Sequence, residues 1–201
     1  MPTVNLVEDY PGIRRVCVAI EAEPPAGNSV VERAIARQDM AVLLAGLCGS
    51  PAFLELSLST QRIANSEVIL FPVGIDEPRI LTLLVQRLAD AVRRANSGRD
   101  GRRLRLKVAV HEGITTLVAG VFGGPAVRRA SALVTTPALH TLLAAAPSAE
   151  LAVLFSGRLR DDLGGFHRCL NPGDFMPVEL PAAITAGATE SGWLLNPDSV
   201  I

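Results

Sequence analysis

The sequence predicts an α+β domain, a mostly antiparallel sheet with helices packed on it. Two apolar runs, residues 53–58 and 68–73, flank a stretch rich in turn formers, which is the pattern of a hairpin. Two longer stretches place apolar residues at helical intervals. Strands and helices do not alternate regularly, as a doubly wound parallel sheet would require, and no internal repeat is visible.

Taken in order, residues 13–21 read as a buried strand, because β-branched residues cluster there without a helical stripe. The turn formers Pro24, Pro25, Ala26 and Gly27 end it. Residues 29–47 read as the first helix, with Val30, Val31, Ile35, Val42, Leu43 and Leu47 mostly at helical spacing. Asn28 or Ser29 is its candidate N-cap, and Gly46 or Gly49 marks its stop. The hairpin turn falls near Asn65. A second helix begins after Pro78 and carries Ile80, Leu83, Leu84, Leu88, Ala91 and Val92, with Arg93 and Arg94 where a helix C-terminus favours cations.

Residues 97–103 form a polar, basic loop, and residues 104–111 a strand that Glu112 and Gly113 are expected to end. A further strand at 114–119, a glycine loop at 120–124, helices near 125–133 and 137–145 and a strand at 150–155 follow. A short helix near 157–163 and a strand near 175–180 complete the domain. The expected organisation is an N-terminal extension over 1–12, a domain over 13–180, and a tail over 181–201 with Trp193, Leu194 and Leu195 as an edge strand.

A length of 201 residues suits one domain, which at this size buries roughly 70% of its unfolded surface. With 49% hydrophobic and 19% charged residues the bulk of the chain is not disordered, and 4% aromatic content makes the core aliphatic. A net charge of -1 supplies no broad field for nucleic acid or anionic lipid, so no nucleic-acid partner is expected. Cys17, Cys48 and Cys169 are widely spaced and form neither a disulfide framework nor a zinc cluster. The first residues lack a signal-peptide pattern, and Thr135, Thr136, Pro137 and His140 interrupt the most apolar stretch. The expectation is a cytoplasmic protein with no membrane span.

Several local patterns, in the right order, resemble the catalytic domain of class III nucleotidyl cyclases. They include Val18-Ala19-Ile20-Glu21-Ala22-Glu23 and Ala64-Asn65-Ser66-Glu67. The clearest is Leu106-Lys107-Val108-Ala109-Val110-His111-Glu112-Gly113, which is similar to the family strand R-hydrophobic-G-hydrophobic-H-x-G. Gly124-Pro125-Ala126-Val127-Arg128-Arg129-Ala130-Ser131-Ala132-Leu133 is similar to the family helix G-x-x-V-N-x-A-A-R-L. A closer resemblance, through Thr136-Pro137-Ala138-Leu139 and Ala149-Glu150-Leu151-Ala152, is to small cyclase-like proteins of actinobacteria. The resemblance implies a ferredoxin-like cyclase homology domain.

Such cyclases use two aspartates to hold two divalent metals, Mg or Mn, which activate the ribose hydroxyl and bind the triphosphate. Matched by position, these aspartates fall on Glu21 and Asn65, and a neutral amide at 65 removes a charge that hard cations need. The asparagine and arginine that orient the ribose and stabilise the phosphoryl group fall on Arg128 and Ala132. The base-reading positions fall on Gln61 and near the apolar Val121. The resemblance therefore implies a scaffold that has lost the catalytic set, with no catalytic residue assigned.

The candidate vestigial metal site is Glu21, Glu23, Asn65 and Glu67, provided the hairpin register turns Glu67 the same way. Candidate nucleotide or phosphate contacts are Gln61, Gly123, Gly124, Arg128 and Arg129, since free amides at a helix start attract phosphate. His111 ends a core strand and reads as structural, and His140 as packed or partly exposed. His167 and Cys169 are too close in sequence to suggest an activated nucleophile. The arginine-rich loop with Arg99, Arg102 and Arg103 reads as solvated. Together these features point first to an inactive cyclase-like module in bacterial signalling, as a homodimer or with a protein partner. The alternatives are a divergent Mg- or Mn-dependent nucleotide-processing enzyme and a nucleotide sensor without catalysis; otherwise no cofactor is expected.

Overall fold

In the computed structural model, residues 11–24, 29–99, 103–157, 159–160, 172–181 and 191–195 are described. The strand β1 (Ile13–Ala22) lies inside the sheet because both its faces are apolar from Val16 to Ile20. It pairs antiparallel with β3 (Ser66–Leu70) on one side and β4 (Leu106–Val118) on the other. Beyond β3 lies the edge strand β2 (Ser59–Ile63). Beyond β4 come β6 (Leu151–Ser156), β8 (Ser191–Leu195) and β7 (Phe175–Glu179), giving the order β2-β3-β1-β4-β6-β8-β7. The far end of β4 folds back into β5 (Val121–Gly123). Of the described pairings only β4 with β6 is parallel, so the sheet is mostly antiparallel, as the sequence predicts.

Alternation along β1 divides the core into two layers. Val16, Val18 and Ile20 pack with α1 (Val30–Cys48) and α3 (Glu77–Asn96). Cys17 and Ala19 pack with α4 (Pro125–Leu133) and α5 (Pro137–Ala145). Ser29 and Glu32 form a reciprocal capping box at the start of α1, and Asp76 caps α3 ahead of Pro78. At the other end of α3 the buried Asn96 amide bonds Leu104 twice, fixing where the chain enters β4.

Three expectations need correction. Residues 53–58 are not a strand: Pro51 starts the short helix α2 (Pro51–Leu54), which buries Phe53, and the polar segment Ser59–Ile63 is the strand instead. As an edge strand β2 needs no apolar face of its own. Glu112 and Gly113 do not end a strand. Thirteen residues run through them as β4, because the ladder with β1 continues and the bare Gly113 lets α4 approach; a Cβ there would lie 3.2 Å from that of Ala126. Trp193, Leu194 and Leu195 do form a strand, but β8 is interior, paired on both sides, and β7 is the edge. The expected helix near 157–163 extends largely outside the described residues.

Candidate functional site

The end of β1 carries Glu21 and, two residues on, Glu23, which the strand period places on one face. That face is the one shared by Ala19 and by α4 and α5. The ladder sets Lys107 of β4 directly opposite Glu21. Its ammonium, on a side chain only 10% exposed, lies 3.5 Å from Glu21 Oε1 and 3.5 Å from Glu23 Oε2. The approach to Glu23 is an ion pair without hydrogen-bond geometry. The other Glu23 oxygen accepts a hydrogen bond from Nδ1 of the exposed His140 on α5. Arg105 donates to the carbonyls of Ala146 and Ala149 at 3.0 and 2.9 Å, near the end of α5. Burial pushes its pKa down, and nearby Glu23 opposes the shift.

Asn65 sits in the β2–β3 turn, where its Oδ1 accepts a hydrogen bond of 3.0 Å from Arg37 on α1. Glu21 and Asn65 line one cavity of about 470 Å³ beside the N-terminal half of α1, together with Arg33 and Arg37. The fold thus brings the two matched metal positions to one cavity. Glu67 is not part of that group. It stands opposite Ile20 in the ladder, hence on the other face from Glu21, and accepts a 2.8 Å ion pair from Arg62.

Two divalent metals do not suit this donor set. A two-metal centre needs carboxylates free to take hard cations. Here a lysine stands beside both glutamates, and an arginine holds the amide at 65. Among the described residues no group of three or more His, Cys, Asp or Glu side chains is placed to hold a metal.

The Gln61 side chain pairs with the backbone of Phe122 in both directions, donating to its carbonyl at 2.7 Å and accepting from its amide at 2.9 Å. Both ends of the amide are therefore used in fastening β2 to β5. Val121 is exposed. Gly124 has φ of +96°, and a Cβ there would come within 2.9 Å of the Ile114 carbonyl, so the turn into α4 requires glycine for packing. Gly123 belongs to β5. On α4, Arg128 is exposed and Arg129 half-buried, with Ala132 one turn beyond Arg128.

His111 lies in β4 opposite Cys17. Burial pushes the Cys17 thiol up to about 12, with Arg15 partly opposing it, so it supplies no thiolate at neutral pH. Arg99 pairs with Asp39 and Arg103 with Glu150, while Arg102, His167 and Cys169 lie outside the described residues.

Lys107 and Arg37 are the residues that sequence reasoning missed. A signal for Lys107 was present: the sole lysine of the chain stands in an apolar strand, and a lysine there needs a carboxylate neighbour. Arg37 gave none, because only the tertiary fold brings α1 to the hairpin turn.

No sequence family matches the chain, and neither does any curated protein. Solved structures do match. An adenylate/guanylate cyclase/hydrolase from Silicibacter pomeroyi superposes with a TM-score of 0.62 at 17% identity, covering 92% of this chain and 99% of that one. A guanylyl cyclase gives 0.61 at 9% identity over 92% and 93%. A non-canonical dimeric guanylyl cyclase domain from the aquatic fungus Blastocladiella emersonii gives 0.51 at 9% identity over 90% and 95%. At these identities the likeness establishes the fold: the chain has the architecture of a nucleotidyl cyclase domain.

Proposed function

We propose that this chain is a catalytically inactive nucleotidyl-cyclase-like domain that acts as a binding or regulatory module. The carrying observation is Lys107, whose ammonium lies 3.5 Å from both Glu21 and Glu23, where a cyclase would need carboxylates open to metal. Charge that divalent cations would balance is balanced by the chain itself. Three further features support the reading. Asn65 is neutral and held by Arg37, Gln61 is committed to the Phe122 backbone, and Ala132 offers a methyl where a phosphoryl transition state needs a cation.

Pairing with a second copy or with a protein partner fits this module. One of the similar structures is a dimeric cyclase domain. Here Ile114, Leu117, Val118 and Val121 leave an aliphatic surface open around the β4–β5 hairpin. The deciding experiment incubates the purified protein with ATP and GTP in Mg²⁺ and Mn²⁺, assays cyclic and hydrolysed products, and measures its mass in solution. No product and a mass above the monomer are expected. Metal-dependent turnover that disappears in Glu21→Gln would overturn the proposal.

A second reading, a nucleotide sensor, rests on the cavity beside α1, whose Arg33 and Arg37 suit a phosphate. It predicts saturable nucleotide binding without product, weakened in Arg37→Ala if that cavity is the site, or in Arg128→Ala if α4 is.

A further inference from the structure

A cavity of about 590 Å³ opens between α1 and α3, on the side of the sheet away from α4 and α5. The volume falls within the range of small-molecule sites, roughly 300–1,000 Å³. Its lining has two parts. Leu43 and Leu47 of α1 and Ala91 and Ala95 of α3 provide aliphatic surface, and the exposed Val42 extends it.

Arg87, Arg94 and Arg99 provide cationic surface against a single acid, Asp39. Asp39 is taken by Arg99 at 2.8 Å. Arg87 and Arg94, seven residues apart and so about two turns along one helix face, have no ion-pair partner among the described residues.

Gly46 is the independent observation. It lies within α1, where glycine is a poor helix former. Its φ is not in the left-handed range, and a Cβ there would meet no atom within 4 Å. Neither backbone conformation nor packing within the chain calls for glycine at this position. Its effect is to leave the helix backbone bare at the cavity wall, which admits a ligand closer to α1 than any side chain would.

We propose that this groove binds an amphipathic monoanion: an aliphatic chain ending in a carboxylate. The chain lies over Leu43, Leu47, Ala91 and Ala95, passing the bare backbone of Gly46. The carboxylate meets the guanidinium groups of Arg87 and Arg94, whose planar forks suit a two-oxygen acceptor. Both guanidinium groups are on exposed residues, so a neutral chain would gain nothing from them, and a cationic one would be repelled. This site is separate from Glu21, Lys107 and Asn65, and the proposal stands or falls independently of the inactive-cyclase reading.

The test is calorimetric titration of the full chain with decanoate, kept below its aggregation concentration, beside decanol and decylammonium. Decanoate is expected to saturate at one site, with decanol about tenfold weaker or more and decylammonium silent, as loss of a charge-assisted contact implies. Gly46→Leu fills the cavity from an unobstructed position, and should weaken decanoate about tenfold or more while circular dichroism and thermal midpoint stay unchanged or rise. Arg94→Ala, at an exposed position of α3, should bring decanoate several-fold down toward the affinity of decanol and leave decanol unaffected. The proposal fails if decanoate gives no heat, if decanol binds equally well, or if Arg94→Ala binds as the parent does. It also fails if an acidic amphipathic helical peptide occupies the groove and decanoate does not.

Discussion

Ile20 and Glu21 are neighbours on β1, yet they belong to different kinds of structure. Ile20 is fully buried against the helices α1 and α3, one aliphatic side chain among many. Glu21 points to the opposite face just past the apolar run, and is held in place by Lys107. The interior of the strand asks only for shape and apolar surface, which many sequences supply. The charged end asks for particular groups at particular distances. A fold can therefore be kept at low identity, and this chain shares its architecture with solved cyclases at 9–17% identity over most of its length.

The contrast can be broken first at Ile20. Ile20→Ala removes a side chain with no exposed surface and should cost about 3–4 kcal/mol in urea unfolding, with a thermal midpoint lower by about 10 °C. Lys107→Ala comes next, at about 2–3 kcal/mol, because it leaves two carboxylates with side chains 15% and 8% exposed facing each other without their shared cation. The sharper measurement is metal dependence. Mn²⁺ should raise the thermal midpoint of Lys107→Ala and leave the parent protein unmoved. An equal response in both proteins would mean that Lys107 does not stand in for a cation.

The same division governs what the sequence discloses. The strand β1 follows from its clustered β-branched residues and the stripe of α3 from helical periodicity, because apolar residues record burial. The course of β4 does not, because Glu112-Gly113 has the composition of a turn, and only the ladder to β1 and the close approach of α4 keep it extended. Nor does β2, whose polar residues lie at an edge while the apolar run before it is drawn into α2 around the buried Phe53. At the site, Glu21 and Asn65 are legible only through the resemblance of the strand and hairpin motifs to the cyclase family. The face of Glu67 depends on a register that a single sequence does not specify, and the hold of Arg37 on Asn65 on how α1 packs.

Gln61 offers a smaller test of the same idea, because its amide reads like a base-recognition group yet acts as a clasp between β2 and β5. Gln61→Ala should cost about 1–2 kcal/mol by leaving the half-buried Phe122 amide and carbonyl without that partner. Gln61→Glu should cost a similar amount, because a carboxylate cannot donate to the carbonyl. If Gln61→Ala left stability unchanged in urea unfolding, the clasp would carry no weight and the side chain would be free for a ligand.

The smallest effect belongs to Arg128. It is exposed on α4, and no ion pair holds it among the described residues, so Arg128→Ala should change stability by less than about 0.5 kcal/mol. That indifference makes it a clean probe, for a change in nucleotide affinity without a change in folding could come only from a ligand contact. Calorimetry with ATP and GTP is expected to show the variant and the parent alike. A difference confined to the variant would place a nucleotide at α4 and favour the sensor reading over the inactive module.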